Sequence, residues 1–112
     1  AGFVQQAEAV LKAAQSDLAT AQLQVRADVS QAYLAVRSAE QQDEAAKINV
    51  ENAKESLRIA EGRYKSGVGL FLDIINAQAA LLTAETASET SQAEVFRQRA
   101  ALQRAAGLLA PR

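Results

Sequence analysis

The chain has no His, Cys, Met or Trp among its 112 residues. That inventory excludes imidazole bases, thiolate nucleophiles and Cys or His metal sites, and only carboxylates and lysines remain for chemistry. No enzyme is expected, and no metal or cofactor. One Pro, five Gly and five aromatic residues leave little turn punctuation. Neither sign of charge dominates: 12 basic and 13 acidic residues are scattered to give a formal net charge of -1. No field of one sign is available to hold nucleic acid or an anionic membrane. No apolar run approaches the roughly 20 residues that a membrane-spanning helix needs. The opening residues, Ala1 to Gln6, lack the charged and apolar regions of a signal peptide. With no initiator Met, the chain reads as a processed or excised segment. The absence of Cys fits the cytoplasm and the periplasm equally.

What is present is 26 Ala, 12 Leu and 12 Gln, a composition of strong helix formers. From Val4 to Tyr64 there is no Pro and only one Gly, Gly62, near the end of the run. Such a helix spans roughly 90 Å at 1.5 Å per residue. Glycines cluster at Gly67 and Gly69, and a second unbroken run extends from about Leu72 to Ala106 before Gly107 and Pro111 stop it. This arm is roughly 50 Å long.

Apolar residues recur every seven places in the long arm: Val4, Leu11, Leu18 and Val25, with Ala7, Ala14 and Ala21 between them. The register then jumps by four to Val29, Val36, Asp43, Val50, Leu57 and Tyr64, with Ala32, Ala39, Ala46, Ala53 and Ala60 interleaved. Such a jump is a stutter, which locally unwinds a supercoil. The second arm repeats the arrangement with Ile74, Leu81, Ser88, Val95, Leu102 and Leu109. The expected fold is all-α: a long antiparallel coiled-coil hairpin with unequal arms, about 4–64 and 72–106. A tip turn at 65–71 joins them and a tail at 107–112 follows, the whole forming one unit.

Folding back at the glycines brings Leu108 near Val29, so the stutter falls where the short arm ends. Val29 to Tyr64 then pack on the second arm, whereas Val4 to Val25 need a surface from elsewhere. Leu34, Ile48 and Ile59 in the first arm, and Ile75, Leu82 and Phe96 in the second, lie off the seam. A two-helix hairpin has one inside, so these imply neighbouring hairpins. Asp43 interrupts the seam and either fixes register against a basic partner or rotates into solvent. Glu40, Asp43, Glu44, Glu51, Glu55 and Glu61 form a carboxylate collection that, without His, reads as solvated helix surface.

The stretch from Arg63 through Tyr64, Gly67, Gly69 and Asp73-Ile74-Ile75-Asn76-Ala77-Gln78 resembles the periplasmic tip of TolC-type outer-membrane efflux proteins. In that family a Tyr ends the long helix, a Gly follows three residues later, and an Asp opens the returning helix. The run from Phe96 to Gly107 resembles the end of the family's returning helix, and the order of features matches the second of its two internal repeats. The resemblance implies a homotrimer whose hairpins form a periplasmic α-barrel below a Gram-negative-type outer-membrane β-barrel, whose strands are absent here. It implies that Gly67, Val68, Gly69, Leu70 and Phe71 dock a periplasmic adaptor protein, which connects indirectly to an inner-membrane pump. It further implies that Asp73 projects into the narrow mouth of the pore, with Tyr64 bracing a neighbouring coil beside it.

Local chemistry supplies a plainer role for each of these residues. The glycines can serve only to turn the chain, Leu70 and Phe71 to close the hairpin core, Asp73 to complement the helix dipole, and Tyr64 to end the seam. Three departures from the family stand out. Asn76 stands where some members carry a second acid, Gly69 where some carry a basic latch residue, and Leu70 where Ser or Thr usually caps, leaving Gly69 as a weaker N-cap. Two rival readings are the coiled-coil hairpin of a periplasmic adaptor, which would have nearly equal arms, and an unrelated structural spacer that dimerises through Val4 to Val25. A carboxylate enzyme is a distant further alternative.

Overall fold

The computed structural model describes residues 2–107. Helix α1 spans Gly2–Lys65 and α2 spans Phe71–Gly107, and the two pack along one another as a hairpin of 99 × 23 × 14 Å. The 64 residues of α1 account for the whole length, because at 1.5 Å per residue they reach about 96 Å. The unequal arms are as the sequence implies, with boundaries shifted by no more than two residues. Gly107, expected to open the tail, is the last residue of α2, and 108–112 lie outside the described residues.

Burial follows the seven-residue repeat. Val36, Ala39 and Ala46 of α1 and Ile74 and Val95 of α2 are buried. Val29, Val50, Leu57, Leu81 and Leu102, on the same seam, are half-buried. Alanine at alternate seam positions lets the two backbones approach, and the larger residues fill the layers between. The core is one side chain thick, and no large side chain among the described residues is completely enclosed.

The cover ends where the repeat jumps. Every residue from Gly2 to Gln24 is exposed, and Val25 is the first half-buried position. Leu102 shares a groove with Val29, Tyr33 and Leu34, which puts the last turns of α2 beside the stutter. Leu108, expected near Val29, lies outside the described residues. The seam of the long arm therefore runs on into solvent through Leu11 and Leu18. The off-seam residues Leu34, Ile48, Ile59, Ile75, Leu82 and Phe96 are exposed as well. The consequence is a large surface, 8699 Å² against about 5900 Å² for a compact monomer of this mass.

Asp43 is drawn into the seam instead of rotating outward. Its side chain is 16% exposed; one carboxylate oxygen pairs with Lys47 Nζ at 3.2 Å, and the other, Oδ1, is buried with no hydrogen-bond partner. Its ionic partner lies one turn along the same helix and does not come from α2. Glu40 is not simply solvated: it reaches across the hairpin to Arg99 at 3.2 Å. Glu55 and Arg58 form a bidentate pair within α1, which holds the Glu55 carboxyl below its ordinary range.

Candidate docking tip and pore-mouth residues

The tip is built by the C-terminal turn of α1. Val68 N–H donates to Arg63 O and Gly67 N–H to Tyr64 O, both at 3.0 Å, the two-bond signature of a Schellman motif. Gly67 takes the left-handed position this motif requires, with φ at 80°. Ser66 closes the same turn by donating from both its N–H and its Oγ to Gly62 O at 3.0 Å. The residue after the left-handed one ordinarily tucks back onto the helix. Val68 instead stands 80% exposed.

Gly69 is fixed by crowding. A Cβ there would lie 2.8 Å from Arg63 Cβ and 3.1 Å from backbone atoms of Arg63 and Tyr64. No side chain fits without opening the turn, so the basic residue that some resembling proteins carry at this place is sterically barred from this tip. Gly69 is not the cap of α2. The helix begins at Phe71, so Leu70 holds the cap position, and its N–H donates to Asp73 Oδ2 at 3.3 Å while Asp73 N–H returns to Leu70 O at 3.0 Å. This is the N3 half of a capping box, and the carboxylate also sits at the positive end of the α2 dipole.

Tyr64 and Phe71 meet across the base of the turn, with ring centroids 5.5 Å apart and planes tilted by 59°. That geometry is in the favourable range for aromatic pairs and closes the end of the seam. Leu70, Phe71, Leu72 and Ile75 remain largely exposed around it, so the tip presents an apolar cap with Val68 at its summit. Leu72, within the stretch that resembles the tip but outside the five residues expected to dock, is exposed beside them.

Asp73 and Asn76 lie one turn apart near the start of α2, both exposed. Asp73 shares a shallow groove with Ser56, Ile59, Ala60 and Arg63 of α1. Arg63 was not singled out in the sequence, and the antiparallel register is what brings it to the same flank as Asp73. Among the described residues no cluster of acidic side chains is arranged to hold a metal ion, and no helix is long and apolar enough to cross a membrane.

Two long helices joined by a glycine turn, with an apolar tip and a seam that runs on uncovered, define an extended all-α hairpin. Residues 3–108 match the outer membrane efflux protein family, and the chain belongs to it. Over 90 residues, 80% of the chain, it is 33% identical to the pyoverdine export outer membrane protein OpmQ of Pseudomonas aeruginosa. The match spans 18% of the length of that relative. No solved structure matches.

Proposed function

We propose that this hairpin is one stave of the periplasmic wall of a trimeric outer-membrane export channel, and that its tip docks a periplasmic adaptor joined to an inner-membrane pump. The observation that carries the reading is the apolar surface left over once the two helices have paired. The long seam overhangs its partner, and both helices carry exposed apolar residues behind the seam, Leu34 and Ile48 on α1, Leu82 and Phe96 on α2. A free-standing hairpin has no use for these faces, whereas a closed wall of hairpins buries them on both sides. Family membership supports this reading over an adaptor hairpin or an unrelated spacer. Unequal arms support it too.

At the tip, Val68 and Leu70 offer apolar contact while Gly67 and Gly69 let another backbone come close. In this reading Asp73, repeated by threefold symmetry, gives the mouth a ring of three carboxylates that favours cations. Asn76 leaves that ring without a second acidic layer, and Tyr64 braces the coil beside it. The docking claim is tested in the complete channel by Val68→Glu and Leu70→Glu with site-directed cross-linking to the adaptor. A charge buried without a partner costs several kcal/mol, so cross-linking should fall by roughly tenfold or more at unchanged helicity. Undiminished cross-linking would remove the tip as the docking surface.

A further inference from the structure

The two broad faces of the hairpin differ in charge, and nothing in the pairing of the helices requires it. In an antiparallel pair, the positions flanking the seam meet on either side of it. One flank is marked by the Glu40–Arg99 ion pair. The other is marked by the groove that Ser56 and Arg63 share with Asp73. On the first flank, seven-residue spacing aligns Glu40, Lys47, Lys54 and Glu61 of α1, with Glu85 and Arg99 of α2 opposite. On the second, the same spacing aligns Gln42, Asn49 and Ser56, with Asn52 beside them and Thr83 and Thr90 on α2. These six are exposed and uncharged. Among the described residues of the paired stretch, charge returns to this face only at its ends: Arg63 and Asp73 at the tip, then the self-neutralising Glu94–Arg97 pair and Arg104 beyond Thr90.

We infer that the uncharged broad face lines the water-filled passage of the channel and that the charged face looks outward. The inference rests on the channel reading above. If the apolar backs take neighbouring hairpins, two broad faces remain, one inside and one outside. The outward face of a thin helical wall is kept soluble by charge, and this one is laced with intrahelical pairs such as Lys54–Glu51. A wall along which cargo moves has the opposite requirement, because fixed charges in a confined channel hold solutes of one sign and repel those of the other. The uncharged face meets that requirement. Thr83 and Thr90 donate their hydroxyl hydrogens to Ala79 O and Thr86 O at 3.1 Å, so neither hydroxyl hydrogen is offered to a passing solute. The amides of Gln42, Asn49 and Asn52 give neutral hydrogen bonds that water readily replaces. The cargo class this lining admits is a hydrated polar solute of either charge sign, with discrimination by charge confined to the two ends of the face.

The chain has no cysteine, so a thiol introduced here is new to this segment, and any cysteine elsewhere in the complete channel is first replaced by serine. In the complete channel, Asn49→Cys and Thr83→Cys represent the uncharged face, and Lys54→Cys and Glu85→Cys the charged one. Each is treated with a small cationic methanethiosulfonate during single-channel recording in a planar bilayer. Modification at Asn49→Cys and Thr83→Cys is expected to lower cation conductance, and modification at Lys54→Cys and Glu85→Cys to leave it unchanged. The reverse pattern, equal effects on both faces, or failure of the Asn49→Cys and Thr83→Cys thiols to react at all overturns the face assignment. A complete channel that conducts nothing before labelling contradicts the channel reading instead.

Discussion

At the scale of single residues, the two acids that interrupt apolar surroundings do opposite things. Asp73 is locally satisfied, held by the Leu70 N–H and the α2 dipole, so its fold-level role is complete without any pore. The ring of three carboxylates is a separate proposal: Asp73→Asn in the complete trimer should lower cation preference in planar bilayers, and unchanged selectivity would leave Asp73 as a cap alone. Removing the charge should also cost about 0.3–1 kcal/mol of helix stability through the lost dipole interaction. Asp43 is the reverse case, with one oxygen buried and unpaired. Replacing it by Leu should raise hairpin stability by about 1–3 kcal/mol, read from urea unfolding, because the desolvated oxygen disappears and an apolar layer replaces it. A loss of stability would show that Asp43 is satisfied in solution by a group not seen in the isolated hairpin.

At the scale of the helices, most of the architecture was legible in the sequence, for an identifiable reason. A two-helix seam repeats every seven residues, so the jump from Val25 to Val29 and the polar intrusion at Asp43 stand out against the pattern. The cap was not legible, because Leu70 has no capping side chain of its own and borrows the carboxylate three residues ahead. Nor was the crowding at Gly69, which exists only once the turn has closed onto Arg63. The fold-back that brings Leu108 near Val29 places Arg99 in the neighbourhood of Glu40, but it fixes only which turns meet and not which side chains pair across the flank. Helix surfaces also carry a pH dependence. Glu94 is held below its ordinary value by hydrogen bonds from Gln98 and Arg97, and Glu55 by its pair with Arg58. A carboxyl lowered in the folded state contributes stability above its unfolded value and loses it as pH falls through the folded one. Thermal unfolding followed by circular dichroism should therefore show the hairpin weakening on acidification below the ordinary carboxylate range, and Glu94→Gln should flatten that dependence. Both groups are exposed, so the effect should be small and reduced by salt. Identical acid profiles for the two proteins would remove the Glu94 contribution.

At the scale of the whole molecule, the structure is a shape that a compact single domain does not adopt. Its radius of gyration is 26.8 Å, against about 13 Å expected for a compact chain of this length. The hydrophobic effect has been used once, between the two arms, and is left unspent along the overhang and behind both helices. On the proposed reading, what covers these faces is other helices with seven-residue repeats. The measurement that bears most directly on this is sedimentation velocity of the isolated 112-residue chain over a wide concentration range. Concentration-dependent association into species larger than 11.9 kDa is the expected result, as the bare stretch from Val4 to Leu23 finds cover. A helical chain that stays a single monomeric species at the highest concentration would contradict the account.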